Sequence, residues 1–415
     1  MARSDIEVAI IGGGAAGIAA GRRLRDASID CLVIEARPRL GGRAWSVVDP
    51  SGFALDLGCG WLHSADRNPW SIVAKQQGRA IDTMTPPWQR PSIPTGFPVS
   101  EQREFRAAMA AFYHRMEAIA TMDHDVPTAA FLEADGRWNG LINAASSYIS
   151  GAETDRVSAK DLDRYRDNGV NWRVVDGYGT VVAAHGKDLP LALDCPVRSI
   201  DHSGKRMRIE TARGVITADQ AIVTLPSTIL AETSVAFTPA LPEKTAAAAQ
   251  LPLGLADKLF MSLDGADEFE TDTRLFGHTD RAATATYHMR PFGRPQIEAY
   301  FGGRLAADLE AQDEGAFFDF AVSELVGQLG NDFRRRVKPL QLHRWGVDRF
   351  ARGSYSFALP GGADCRAVLA APVDDRLFFA GEACSAHDFS TAHGAWSTGI
   401  AAADAVITAR RRQRS

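Results

Sequence analysis

The sequence has few cysteines, little net charge and no long apolar run, and each shortage excludes a class of protein. Its five cysteines are scattered and form no CxxC pair, which argues against a disulfide framework and a structural zinc site. The net charge of -5 provides no basic footprint for nucleic acid. No apolar run approaches the roughly 20 residues of a membrane span, and the N-terminus lacks a signal-peptide pattern. We therefore expect a cytoplasmic protein that binds neither nucleic acid nor membrane.

The first strong pattern is an apolar strand that leads into a glycine-rich turn and a helix. Residues 6–11 precede Gly12, Gly14 and Gly17 in GxGxxG spacing. Gly12 permits the tight turn, Gly14 lets a pyrophosphate approach the backbone, and Gly17 lets the helix pack on the strand. Glu35 ends the next apolar run, where an acid accepts hydrogen bonds from ribose. The pattern predicts a Rossmann-like dinucleotide site and, taken alone, also fits an NAD-dependent dehydrogenase.

Apolar stripes and short strands follow without a fixed repeat. Five prolines and a glycine between residues 85 and 98 predict an extended connection. The amphipathic helix that follows has Ser100 as its predicted cap and an apolar stripe to residue 119, and a second such helix spans 317–329. Further strands are predicted at 197–200, 206–210, 221–225 and 377–380.

Longer motifs then occur in a fixed order along the chain. They are EARPRLGGR at 35–43, DLGCGWLH at 56–63, DGYG at 176–179, VTLP at 223–226, RWGVDRFARGSYS at 344–356, and FAGE with TAHGAWSTG within 377–399. In these motifs and their order the chain resembles the FAD-dependent amine oxidase family, nearest to its polyamine oxidase and lysine-specific demethylase branch.

The resemblance implies a two-domain α/β fold. A Rossmann-like FAD-binding domain is expected from three separated segments, 1–75, 174–252 and 346–415. An α+β substrate-binding domain is expected from the two insertions, 76–173 and 253–345. The sequence does not determine the oligomeric state, and a homo-oligomer is among the states it allows.

The resemblance also implies how FAD is held. Arg43 brings a forked cation suited to phosphate, Glu382 would bind the ribityl chain, and the backbone of Val197 would bind adenine. Ser354 stands where monoamine oxidases carry the cysteine that is covalently bound to flavin, so non-covalent FAD is expected. The expected cofactor-binding residues are Gly12, Gly14, Ala16, Gly17, Glu35, Ala36, Arg37, Gly42, Arg43, Gly58, Gly60, Trp61, Val197, Gly381, Glu382, Gly394, Ala395 and Trp396.

Five residues are the expected catalytic set. In the polyamine oxidase and demethylase branches the lysine that matches Lys258 holds a water against flavin N5. The residues that match Trp345 and Tyr355 line the substrate cavity. Thr391 occupies a position where monoamine oxidases carry a second tyrosine, and in this it follows the polyamine oxidases. His63 also follows the polyamine oxidase pattern and is a candidate acceptor of the amine proton, although a structural hydrogen-bonding role fits it as well.

The implied reaction is oxidation of a small amine (polyamine, secondary or primary) to an imine by hydride transfer to flavin N5, with oxygen reduced to peroxide. An aromatic cavity of Trp61, Trp345, Tyr355 and Trp396 would favour the neutral amine. Trp61 also stands where L-amino acid oxidases bind the substrate carboxylate with an arginine, which disfavours amino acids.

An acidic loop at residues 267–272 could attract a polyamine or simply be solvated. His393 is a second candidate for the amine proton. Two alternatives to an amine oxidase remain, a flavin-dependent dehydrogenase or desaturase acting on a non-amine substrate and a non-catalytic FAD-binding scaffold.

Overall fold

The computed structural model of the protein describes residues 5–90, 96–313 and 315–414. Its strands are β1 Asp5–Ile11, β2 Cys31–Ile34, β3 Ser46–Val48, β4 Ala54–Asp56, β5 Ile81–Asp82, β6 Arg173–Val174, β7 Leu191–Ala192, β8 Val197–Asp201, β9 Met207–Thr211, β10 Gly214–Val223, β11 Ala236–Thr238, β12 Leu253–Gly254, β13 Ala256–Leu263, β14 Thr273–Phe276, β15 Thr286–Met289, β16 Gln296–Gly302, β17 Val337–His343, β18 Tyr355–Ser356 and β19 Leu377–Phe379. Its α-helices are α1 Ala15–Asp26, α2 Pro69–Gln76, α3 Val99–Met116, α4 Asn139–Ser150, α5 Ala159–Arg164, α6 Tyr178–His185, α7 Ser227–Ala231, α8 Pro242–Ala249, α9 Gly303–Glu310, α10 Ala316–Leu329, α11 Cys365–Ala370 and α12 Ala392–Arg414.

The largest sheet has the order β11-β8-β9-β10-β1-β2-β7, and β19 pairs with the end of β10. Its centre is parallel, because β1 pairs in parallel with both β10 and β2. Side chains alternate across β1: Val8 and Ile10 pack in the core cluster that contains α1 and α12 residues, whereas Ala9 and Ile11 pack in the cluster on the opposite face. This β-α-β core with helices on both faces confirms the predicted Rossmann-like α/β fold.

Most of the predicted elements are confirmed, with shifts at their ends. The predicted strands correspond to β1, β2, β8, β9, β10 and β19, although the strand predicted at 221–225 is only the end of the longer β10. The predicted cap is wrong, because α3 begins at Val99, directly after Pro98 and without a side-chain cap, and Ser100 lies inside its first turn. Of the proline-rich connection, residues 91–95 lie outside the described residues, and Pro87–Gln89 forms a short 3₁₀ helix.

The second large sheet is antiparallel, with the order β14-β15-β16-β13-β17. One face packs against α9 and α10 through apolar side chains such as Met261, Tyr287 and Phe301. Residues two apart share a face, so the other face carries a different set of side chains, which are Lys258, Arg274, Phe276, Thr286, His288, Glu298 and Tyr300. The alternation therefore builds a core on one face and frees the other for a site.

The helices of the described ranges include none with the length and apolarity to cross a bilayer.

Candidate functional site

A single continuous cavity of about 1420 Å³ joins the two sheets. At one end it is lined by residues at the carboxyl ends of β1, β2 and β10, where parallel sheets bind their ligands. At the other end it is lined by the polar face of the five-stranded sheet. Among the described residues, no group of three or more histidine, cysteine or acidic side chains is arranged to hold a metal ion.

The glycine turn at the first end has no room for a side chain at Gly12 or Gly17. Gly12 has a φ of +112°, and a Cβ there would lie 2.5 Å from Thr224 Oγ1. A Cβ on Gly17 would lie 1.9 Å from the Gly12 oxygen, so α1 can approach the turn only with glycine at this position. A Cβ on Gly14 would meet nothing nearer than 4.0 Å, which leaves open space above its backbone. The turn is therefore an unobstructed cradle of the kind a pyrophosphate occupies.

Glu35 and Arg37 fix the backbone beside this cradle. Glu35 is buried, and its two carboxylate oxygens accept the N–H groups of Gly13 at 2.7 Å and Arg37 at 2.8 Å. Arg37 forms an ion pair of 2.5 Å with Asp348 and lies over the Phe350 ring. Burial favours the neutral acid, but His343 and Arg37 more than offset it and hold the pKa of the Asp348 carboxyl below its usual range. Sequence reasoning missed this link, which connects the first motif to the 344–356 motif.

Arg43 and Glu382 are bound to each other. Arg43 Nη1 donates to Glu382 Oε1 and to the Ser354 carbonyl, each at 2.9 Å. Glu382 also accepts the Ser356 hydroxyl at 2.6 Å. Burial would raise the pKa of Glu382, but Arg43 and Ser356 outweigh it and keep the pKa below the ordinary value. The expected phosphate cation and the expected ribityl acid thus form one charged pair on the cavity wall.

The cavity contains most of the other expected cofactor-binding residues and excludes a few. Those that line it are Ala16, Ala36, Gly42, Gly58, Gly60, Trp61, Val197, Gly381 and Ala395.

Gly17, Gly394 and Trp396 are not among the described residues that line the cavity. The Trp396 ring instead packs edge-on against Trp70, with 4.7 Å between ring centroids, and 5.1 Å from His185. The prediction that Trp396 walls the cavity is therefore wrong, because α12 turns this side chain into the core cluster behind it.

Lys258 lies on β13, at one end of the polar face, and three groups hold it. Its Nζ donates to the Asp56 carbonyl at 3.0 Å, forms an ion pair of 3.0 Å with Glu298, and lies 5.8 Å from the Tyr300 ring centroid. Burial opposes the charge, but Glu298, Tyr300 and Asp56 together raise the pKa of Lys258 above its ordinary value. Burial also opposes ionisation of Glu298, yet Lys258 keeps the pKa of Glu298 below its ordinary value. The two side chains therefore form a largely buried ion pair in which both groups are charged.

Glu298 was not predicted from the sequence, although a signal was present. In QIEAYFG of β16, Ile297, Ala299 and Phe301 are fully buried in the core, so an acid alternates with apolar residues. Period two places that acid on the same face as Tyr300.

Trp345 and Tyr355 close the same end of the cavity. Trp345 is buried, its ring N–H donates to the Leu57 carbonyl at 3.0 Å, and its backbone N–H donates to Asp257 at 3.0 Å. The Tyr355 hydroxyl lies 3.0 Å from the Tyr300 hydroxyl. Burial, with the neighbouring Tyr300, raises the pKa of Tyr355 well above its ordinary value, so it remains a neutral phenol.

His63 and Thr391 also line the cavity, whereas His393 is not among the described residues that do. His63 Nδ1 lies 2.6 Å from Asn171 Oδ1, and burial lowers the pKa of His63. The imidazole is therefore neutral at neutral pH. The Thr391 hydroxyl donates to the Asp388 carbonyl and accepts the Gly394 N–H at 2.9 Å, so it caps α12.

The acidic loop does not reach the cavity. Asp267 and Glu268 pair outward with Arg290 and Arg336. Asp272 is buried and pairs with Arg173. None of the loop acids is among the described residues that line the cavity, so the loop does not form a cation-binding entrance.

Comparison with known proteins agrees with this geometry. The family described as flavin containing amine oxidoreductase matches residues 100–407, and an NAD(P)-binding Rossmann-like domain matches residues 10–75. Polyamine oxidase 4 of Oryza sativa subsp. japonica is 30% identical over 97% of this chain and 88% of its own length. Lysine-specific histone demethylase 2 of Homo sapiens is 24% identical over 95% of this chain and 52% of its own length.

A solved structure of putrescine oxidase bound to putrescine shares the fold, with a TM-score of 0.78, 17% identity, and coverage of 97% of this chain and 99% of that chain. The chain belongs to the flavin-containing amine oxidoreductase family, whose cofactor is FAD and whose reaction is the oxidation of amines.

Proposed function

We propose that this protein is an oxidase that converts a small primary or secondary amine or a polyamine to an imine, with FAD bound non-covalently and oxygen as electron acceptor. The observation that carries the proposal is the position of the Lys258–Glu298 pair. It lies beside Trp345 and Tyr355 in a cavity that continues to the glycine cradle.

The residues present fit FAD. The cradle at Gly12 and Gly14 offers backbone N–H groups at the start of α1, which suits a pyrophosphate. Non-covalent binding is supported at Ser354, which has no thiol. Its hydroxyl donates to the Ala256 carbonyl at 3.0 Å and accepts the Ala256 N–H at 2.8 Å.

When bound, FAD would supply the acceptor for a hydride from the amine α-carbon, whose loss converts the amine to an imine, and oxygen would take up the two electrons as peroxide. The chain's own residues prepare the amine. An amine with a pKa of about 10.4 loses its proton at pH 7 at a cost of roughly 4.6 kcal/mol. Trp61, Trp345 and Tyr355 exclude water and lower that cost, and the neutral His63 accepts the proton. Lys258 keeps one N–H for a water, because Asp56 and Glu298 take the other two.

The same proposal divides the chain into two domains. Residues 1–75, 174–252 and 346–415 form the FAD-binding domain, which is supported by the eight-stranded sheet, since all eight of its strands come from these segments. Residues 76–173 and 253–345 form the substrate-binding domain, which is supported by the five-stranded sheet, drawn from the second insertion. We also propose a reducing, cytoplasmic compartment, because all five cysteines carry free thiols.

A peroxide assay on the purified yellow protein tests the function, with monoamines, diamines, polyamines and secondary amines as substrates. Bound flavin without peroxide from any amine would favour the desaturase or scaffold alternative. Within the site, Lys258→Met should slow both anaerobic flavin reduction and reoxidation by oxygen. The matched control is Lys187→Met, an exposed lysine. Unchanged rates in Lys258→Met with full flavin content would contradict the role given to Lys258.

A further inference from the structure

Arg274, on strand β14, lines the cavity. Its Nε donates to Thr286 Oγ1 at 2.9 Å, and its guanidinium carbon lies 4.6 Å from the centre of the Phe276 ring. In the part of the chain that the structure describes, no carboxylate lies within 4.0 Å of the guanidinium nitrogens. Arg37 and Arg43, which line the other end, are each neutralised by an acid. The two Nη groups of Arg274 therefore retain hydrogen-bonding capacity for an anion.

The sheet register shows where this cation stands relative to Lys258. Lys258 pairs with Tyr300, Tyr300 with Thr286, and Thr286 with Phe276, which forms one row across four strands. Arg274 lies two residues before Phe276 on the same strand, and its side chain leans back toward this row. Three strand spacings amount to about 14 Å. Arg274 thus stands across the cavity wall from Lys258, at a distance that a short flexible molecule can span.

Among the described residues, the other charged side chains on this wall are paired with one another, and none of them pairs with Arg274. Lys258 and Glu298 neutralise each other. His288 is hydrogen-bonded at 2.8 Å to Asp272, which also pairs with Arg173. Burial lowers the pKa of Arg274, and nearby Tyr148 acts in the opposite direction. A second ammonium group on the substrate would be repelled here, whereas a carboxylate would gain charge-assisted, bidentate hydrogen bonds.

We propose that the preferred substrate is an amine that carries a carboxylate several bonds from its amino group, and that Arg274 binds this carboxylate. The inference rests on the proposed amine oxidase function and narrows its substrate class. It limits the expectation drawn from Trp61, that amino acids are disfavoured, to α-amino acids. An α-amino acid remains a poor fit, because its carboxylate is attached to the carbon that is oxidised and cannot reach across three strands.

Three amines of equal chain length test the inference: hexylamine, 6-aminohexanoate and 1,6-diaminohexane. The wild type should show its highest kcat/KM with 6-aminohexanoate or a homologue of slightly different length. Arg274→Met should lower that value on the order of 10- to 100-fold, as expected for a lost hydrogen bond to a charged group, and leave hexylamine nearly unchanged. Arg274→Glu should shift the preference to 1,6-diaminohexane. Arg281→Met is the matched control, since Arg281 is exposed and pairs with Asp280.

A binding measurement separates carboxylate recognition from turnover. Hexanoate, which has no amine to oxidise, should bind the wild-type holoenzyme and perturb its flavin absorbance, and Arg274→Met should bind it at least 10-fold more weakly. Thr286→Val removes the hydroxyl that orients Arg274 and should give a smaller loss. It serves as the second variant if Arg274→Met does not fold.

The outcomes distinguish the two levels of the proposal. If no amine is oxidised by protein with bound flavin, the proposed function fails and this inference fails with it. If hexylamine and 1,6-diaminohexane are oxidised at least as well as every ω-amino acid, the substrate class is overturned while the function stands. An equal decrease in kcat/KM for all three amines in Arg274→Met would likewise overturn the proposed substrate class. Unchanged hexanoate binding in either variant would also overturn it.

Discussion

Replacing Glu298 with glutamine removes the negative partner of Lys258 and keeps the side-chain shape. Glu298 Oε1 and Lys258 Nζ are 3.0 Å apart, and their side chains are 20% and 7% exposed. The variant leaves the Lys258 charge buried with the Asp56 carbonyl as its acceptor. Removing one partner of a buried ion pair costs about 3–5 kcal/mol.

The loss of folding free energy has an upper limit, because Lys258 can release its proton. With an ordinary pKa of about 10.4, deprotonation at pH 7 costs about 4.6 kcal/mol, so we expect a destabilisation of about 4 kcal/mol. An unfolding entropy of about 2.1 cal/mol/K per residue gives about 0.9 kcal/mol/K for 415 residues. The Tm of Glu298→Gln should therefore fall by about 4–5 °C.

The pH dependence gives a sharper signature of the ion pair. In the wild type the folded-state pKa of Lys258 lies above its ordinary value and that of Glu298 below it, so the pair's contribution is constant across neutral pH. In Glu298→Gln the largest countercharge is gone, and burial should bring the folded-state pKa of Lys258 below its ordinary value. The folded state then binds fewer protons than the unfolded state, so stability rises with pH.

The assay is thermal unfolding of the holoenzyme by circular dichroism at about pH 6 and about pH 9, at equal flavin content. The Tm difference between wild type and Glu298→Gln should be larger at the lower pH. Glu268→Gln is the control, because Glu268 forms an exposed pair of 2.9 Å with Arg336 and should cost less than about 1 kcal/mol. A decrease in Tm no greater than that of the control, or a decrease that is equal at both pH values, would refute the reasoning.

Two further predictions concern the frame around the site. Asp161→Asn removes the carboxylate that holds buried Arg366 through bonds of 2.6 and 2.7 Å. Denaturant unfolding should show a loss of about 3–5 kcal/mol, and a loss below 1 kcal/mol would contradict a structural ion pair. Gly17→Ala should abolish bound flavin or folding, because its Cβ would lie 1.9 Å from the Gly12 oxygen. Gly327→Ala, where a Cβ meets nothing within 4 Å, should keep full flavin absorbance and gain up to about 1 kcal/mol.

The first end of the cavity could be predicted because its determinants are local in the sequence. A strand, a glycine turn, a helix and an acid at the end of the next strand fall within about 30 residues, and each glycine has a steric reason that follows from its position. The ion pair between Arg43 and Glu382 could not be predicted in the same way. Both lie in motifs, but their pairing needs β19 beside β10, and strand order is a property of the whole sheet.

The error at Trp396 has a related physical cause. A motif indicates that a helix begins near the cavity but does not specify which helix face is turned toward it. Thr391 caps α12 and Ala395 lines the cavity, whereas the side chain of the next residue is rotated by about 100° around the helix axis and leaves the cavity wall. Trp396 therefore packs on Trp70 in the core.

The polar face of the five-stranded sheet explains how substrate preference can change while the cofactor site is preserved. Lys258, Glu298 and Arg274 come from three different strands, and the apolar residues that alternate with them fill the core on the opposite face. A charge on this face can be exchanged without altering that core or the glycine cradle, because a side chain one residue away points the other way. We therefore expect the residue at position 274 to change which amine is oxidised, and the residue at position 17 to change whether flavin binds.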